Sequence, residues 1–202
     1  MARDAPHFPD RSAPPKDRVP VRVAAERGDL ARTKSPLVVV GAFEDVDEFH
    51  GVTAAVDEAT GGALTRVLRA GDFRGRSKET ALVHPAKGDA ERVLLVGLGP
   101  IQKWTPDRLR RVSALVARRA REMGVDRYHT ALHGLGSPGV TIDAAACGEA
   151  MAEGALLGLY AFTFYKGPKG EKEAKEEARR KLSRIVLVDR DAASAKAAAE
   201  GA

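Results

Sequence analysis

Residues able to do chemistry are spread along this chain rather than gathered into one motif. Gly97-Leu98-Gly99 follows the apolar run Val93-Leu94-Leu95-Val96 and precedes a helical pattern, the setting of a phosphate-binding turn. A dinucleotide fingerprint needs a third glycine three residues on and an immediate helix start. Pro100, Ile101, Gln102 and Lys103 intervene instead. The plainer reading is a tight turn that stops the strand. A second glycine loop, Gly136-Ser137-Pro138-Gly139, offers similar backbone chemistry, so Gly97, Gly99, Gly136, Ser137 and Gly139 form one candidate ligand-binding set.

Other constellations are thinner. His129 and His133 stand at a spacing that would suit a metal on a helix, but on the strand that their surroundings predict they point to one face too far apart to share an ion. The acidic group Glu44, Asp45, Asp47 and Glu48 has only His50 nearby and reads as a solvated loop. Ser113 and Ser137 lack the flanking pattern of a nucleophile elbow and have no base at a recognisable spacing. Cys147 is the only cysteine, which excludes an internal disulfide or a cysteine-cluster metal site; set among alanines, it reads as a buried thiol. Arg108, Arg111, Arg118 and Arg119, with Arg110 and Arg121, decorate one helix away from its apolar stripe. They are candidates for contact with nucleic acid, although no aromatics for base stacking lie nearby and a solvated face or subunit contact is the simpler reading.

The elements that must position these residues alternate in type. Strand patterns are expected at 20–25, 37–43, 80–84, 93–96, 127–133 and 183–188, the second and fourth fully apolar and therefore central. Helical patterns are expected at 52–58, 63–69, 105–123 and 142–160. Thr105-Pro106-Asp107 reads as N-cap, first helical position and dipole complement, and Leu109, Val112, Val116, Ala120 and Met123 form the apolar stripe. Ala144, Ala145, Gly148, Ala152, Gly154 and Gly158 make the later helix slender. Each glycine costs about 1 kcal/mol relative to alanine, so that helix must be crowded. This is an α/β chain with a mixed sheet around 80–96.

Residues 1–19, proline-containing and charged, are expected as a disordered tail. The domain is expected at 20–190. Residues 191–202, rich in alanine, read as a tail or the start of a linker helix with nothing left to pack on. Short apolar-aromatic (161–165) and charged (171–181) segments come between the last long helix and the last strand. The chain has 202 residues, 44% hydrophobic and 30% charged, with a net charge of +5 that permits acidic partners without establishing any. No apolar run approaches the roughly 20 residues of a spanning helix, and no signal-peptide core is present, so a cytoplasmic protein with no membrane contact is expected.

The order of motifs resembles a known domain. Leu64-x-x-x-Leu68-x-x-Gly71-Asp72-Phe73-x-Gly75 comes first, then Val93 to Gly99, then Thr105-Pro106-Asp107-x-Leu109-Arg110. Ala152-Glu153-Gly154-Ala155-x-x-Gly158-x-Tyr160-x-Phe162-x-x-Tyr165-Lys166 follows. Together they are similar to the N-terminal domain of the cytosolic leucyl aminopeptidases, over about 21–188. The resemblance implies a macro-domain-like α/β/α sandwich with a mixed, largely parallel sheet. It implies a separate catalytic domain or subunit with two divalent metals, such as zinc or manganese, and a homo-oligomer. That domain's Asn-Thr-Asp-Ala-Glu-Gly-Arg signature and its metal-binding Lys and Asp segment are absent from this sequence. The resemblance therefore implies a non-catalytic accessory chain, without catalytic residues, metal ligands or a cofactor of its own. Two alternatives accompany it: a binder of an ADP-ribose-type or other phosphate ligand at the glycine loops, and a module contacting DNA, since some leucyl aminopeptidases also bind DNA.

Overall fold

Val38-Val39-Val40 and Val93-Leu94-Leu95-Val96 are buried throughout, as a strand with cover on both faces requires. They form β2 (Val38–Phe43) and β4 (Val93–Gly99), parallel neighbours inside a six-stranded sheet. The computed structural model describes residues 21–44, 46–160 and 182–202. Its remaining strands are β1 (Arg22–Arg27), β3 (Thr80–Val83), β5 (Arg127–Ala131) and β6 (Arg184–Asp189). The order is β1-β6-β5-β2-β4-β3, all parallel except β3, which runs antiparallel to β4. The mixed sheet expected around 80–96 is therefore present. The expectations for 1–19 and for 161–181 lie outside the described residues.

Helices cover both faces, giving three layers. On one side α1 (Gly51–Ala59) and α2 (Ala63–Ala70) bury Val56 and Leu64 against Val38, Val40, Val93 and Leu95. On the other, α3 (Pro106–Glu122), α4 (Ala144–Leu159) and α5 (Ala192–Gly201) pack on Val39, Leu94, Val96, Ile185 and Leu187. α3 starts as its sequence dictates: the Thr105 hydroxyl accepts from the Arg108 amide at 3.3 Å, Pro106 opens the helix, and Leu109, Val112, Val116 and Ala120 face inward. Asp143 caps α4 in the same manner, accepting from the Ala146 amide at 2.8 Å.

The slender helix α4 is crowded from two sides. A methyl group at Gly154 would collide with the backbone of Arg110 on α3, and one at Gly148 with the backbone of Ala198 on α5. The second contact corrects the expectation for 191–202. Asp191 caps α5 by accepting from the Ser194 amide at 2.7 Å, and Ala195 and Ala198 are buried. Small side chains, which offer little apolar area, here allow backbone-to-backbone approach.

Two further boundaries differ. β4 does not stop before Gly97-Leu98-Gly99 but continues through it, fully buried. β5 ends at Ala131, so Leu132 and His133 occupy a buried turn.

Candidate functional site

Open α/β sheets bind ligands at the carboxyl ends of their strands, and the candidate glycines sit there. What fills the space beside Gly97 and Gly99 is the segment 73–79, a strap laid across the ends of β2 and β4. Phe73, its first residue, is wholly buried. The Gly99 amide donates to the Gly75 carbonyl at 2.8 Å, and the Gly97 amide to the Glu79 carbonyl at 2.9 Å. The Glu79 carboxylate accepts from the amides of Arg74 and Arg76, each at 2.9 Å, which shapes the turn. A methyl group at Gly75 would strike the backbone of Phe43, at Gly97 the backbone of Arg76, and at Gly99 the Ser77 hydroxyl. The glycines of β4 thus permit close passage of another chain segment.

The second loop is different. Gly136 and Gly139 have positive φ (72° and 81°), and a Cβ there would meet nothing within 4 Å. Ser137 donates its amide to the Gly134 carbonyl at 3.2 Å and is half-buried. Below this loop lies an aromatic wedge, in which Phe43 and Trp104 meet edge to face with centroids 5.3 Å apart. The Trp104 ring closes against Gly134, whose φ is 79°. Two buried polar atoms here have no hydrogen-bond partner among the described residues: Trp104 Nε1 and His133 Nδ1.

His133 shows how the protonation state follows from its neighbours. The Thr130 hydroxyl donates to the Ala131 carbonyl, so at 3.2 Å it accepts from His133 Nε2, leaving Nδ1 as the bare lone pair. Burial pushes the imidazole pKa down to about 4. Cys147 lies nearby, its thiol aimed at the His133 carbonyl at 3.9 Å. Burial, reinforced by Asp189 and Asp143, raises it to about 12, which makes it a packed thiol rather than a nucleophile.

The two histidines do not converge. His133 packs against Gly41 and Leu98 on the side of α3 and α4. His129 belongs to the opposite face, bonded through Nδ1 to the Ser35 hydroxyl at 2.8 Å. The single-face geometry expected for them fails because His133 is past the end of β5. Among the described residues no three His, Cys, Asp or Glu side chains are placed to hold a metal ion, so the donors present do not fit a two-metal centre.

Of the four arginines proposed for nucleic acid, Arg111 pairs with Asp107 at 2.7 Å and Arg119 with Glu122 at 3.2 Å. Arg118 is exposed with no acidic partner among the described residues, and Arg108 leans toward Gly99 at the sheet's end. No local pattern marks Asp57, whose buried carboxylate accepts from the amides of Leu64 (2.7 Å) and Thr65 (3.0 Å) and from the Thr65 hydroxyl. It caps α2 from another helix, because the position before α2 is Gly62, which has no side chain to do so. No helix among the described residues is long and apolar enough to cross a membrane.

Comparison with known proteins places this geometry. The family model for the cytosol aminopeptidase family, N-terminal domain, matches residues 39–169. A probable cytosol aminopeptidase of Roseiflexus castenholzii is 32% identical over 169 residues, 83% of this chain and 30% of that protein. One from Alkaliphilus metalliredigens is 31% identical over 156 residues, 77% of this chain and 30% of its own length. The chain thus spans about a third or less of these relatives. Among solved structures, a tomato leucine aminopeptidase mutant superposes with a TM-score of 0.70 at 16% identity, covering 88% of this chain and 34% of that one. A Trypanosoma brucei macrodomain in complex with ADP-ribose gives a TM-score of 0.66 at 18% identity, covering 88% and 68%. The fold is macrodomain-like, and the chain belongs to the cytosol aminopeptidase family through its N-terminal domain.

Proposed function

We propose that this chain is a non-catalytic accessory unit of a cytoplasmic metallo-aminopeptidase, one that removes N-terminal residues such as leucine from peptides. In this reading the two divalent metals, zinc or manganese, belong to a catalytic domain or subunit. The unit described here contributes to homo-oligomer assembly or to control of access. The observation that carries the reading is the strap over the ends of β2 and β4, held by backbone hydrogen bonds from Gly97 and Gly99. A fold that normally opens a ligand site at that edge has here committed the space to its own backbone.

The test is hydrolysis of a chromogenic leucine substrate with added manganese or zinc, run beside a mass measurement in solution. The expected result is no turnover by this chain alone. Turnover that a chelator abolishes overturns the reading.

A second reading is favoured by one specific feature. Gly136 and Gly139 border open space, since a Cβ at either would meet nothing within 4 Å. A phosphate-bearing nucleotide on that loop would draw on backbone amides as anion-binding loops do. Titration with ADP-ribose, followed by the fluorescence of Trp104, separates the readings. Saturable quenching supports the second, and no change at millimolar ligand removes it.

A further inference from the structure

The strand register places three arginines side by side. Arg22 on β1 pairs with Arg184 on β6, and Arg184 with Arg127 on β5, so the three side chains share one row and one face of the sheet. At the usual strand spacing the row spans about 10 Å. Like charges placed directly across adjacent strands oppose folding. All three are exposed, although further along the same face Val186, two residues beyond Arg184, and Ala131, four beyond Arg127, are buried in the layer under α1 and α2.

The chain neutralises only part of this row. Arg184 donates to Glu26 at 2.6 Å and Arg127 to Asp126 at 3.2 Å. Arg22 and Lys34 have no acidic partner among the described residues. Glu26, Lys34, Asp126, Arg127, Ser183 and Arg184 line a shallow groove of about 350 Å³ together with His129. The Ser35 hydroxyl donates to the Leu37 carbonyl at 2.8 Å, so His129 Nδ1 is the donor in their shared bond and Nε2 keeps a lone pair. The lining therefore alternates cations with acceptors: Glu26, Asp126 and His129.

We propose that this groove is a docking surface for an acidic segment of a partner protein. Charge complementarity sets the class: Lys34 in the groove, and Arg22 beside Arg184 in the row but outside the groove's lining, donate to separate carboxylates, as Arg184 and Arg127 already do. The interleaved acceptors match the N–H groups of a peptide and repel a dense polyanion such as polyphosphate.

The experiment uses the full chain and a fluorescein-labelled peptide of alternating glutamate and serine, read by anisotropy at low ionic strength. The expected result is saturable binding that weakens about tenfold in the double variant Arg22→Gln, Lys34→Gln and fades with added salt. Arg69→Gln, an exposed arginine on α2, keeps the parent affinity. Three results overturn the proposal: no binding of the glutamate peptide, equal affinity in the double variant, or tripolyphosphate displacing the peptide at lower concentration than unlabelled peptide does.

Discussion

On β2 and β4 both faces of the strands are covered, and β4 is buried at every residue, whereas β1, β5 and β6 each begin with an exposed arginine on one face. The first half of the sheet is a partition between two helical layers. The second is covered on the α3, α4 and α5 side and, on the other, buries Ala131, Val186 and Val188 but starts its strands with a row of charge. A single sheet therefore serves two purposes: the covered half seals its carboxyl end with a strap, and the half left open where its strands begin presents fixed cations there. Apolar residues that could fill both faces were available to this chain, as β4 demonstrates. The arginines therefore occupy positions where burial is not required.

The contrast breaks most visibly at glycine. Gly97→Val drives a branched side chain into the Arg76 backbone, which cannot move without pulling the strap off β4. The expected loss is upwards of about 4 kcal/mol, or failure to fold. Gly136→Ala has open space and only its positive φ to overcome, for about 1 kcal/mol. Urea denaturation of both variants measures the difference, and equal losses would mean that the strap does not hold the end of β4.

At the joint between the halves, His133 adds a pH dependence. The folded chain keeps it neutral down to about pH 4, while the unfolded chain protonates it near the ordinary value of 6.5. Between these values the unfolded state binds the extra proton. Stability from this group is thus whole above pH 6.5 and is lost as pH falls towards 4, by roughly 3 kcal/mol at the lower end. His133→Leu should flatten the parent's slope in that window. Superimposable stability profiles for the two proteins would show that the ring escapes its burial before it titrates.

Much of this was legible in the residues. Thr105-Pro106-Asp107 predicts the start of α3, because capping depends on a few adjacent side chains, and the glycines of α4 predict a crowded helix. The fate of Gly97 and Gly99 was not legible. A glycine that admits a phosphate and one that admits a passing backbone look alike until the strap's course is known. The packing of α5 was not legible for a related reason: its alanines carry no strong apolar period, and the surface receiving them is made by glycines distant in sequence. The arginine row is invisible to any local pattern, since Arg22, Arg127 and Arg184 become neighbours only through the order β1-β6-β5.

Asp57 tests how tightly the covered half is built. Asp57→Ala leaves the amides of Leu64 and Thr65 without their acceptor inside the layer of α1 and α2. The expected cost is about 1–2 kcal/mol, with Asp57→Asn losing less because one oxygen remains. Hydrogen exchange at the Leu64 and Thr65 amides localises the effect. If those amides stay protected in the alanine variant, α2 has a second cap.

The smallest effect belongs to the open half and has the opposite sign. Arg22→Gln removes one of three aligned cations and, among the described residues, leaves no carboxylate unpaired, so at low salt it should stabilise the chain by about 0.5 kcal/mol. Arg184→Gln removes the middle cation but strands Glu26, its partner at 2.6 Å, so the two changes offset. The gain for Arg22→Gln should vanish in 1 M salt, where screening acts within roughly 3 Å. Melting temperatures of both variants at low and high salt give four numbers that order the row. Destabilisation by Arg22→Gln at low salt would mean that Arg22 already has an anion, supplied by the chain itself, and that the row is a finished structural feature rather than a surface awaiting a partner.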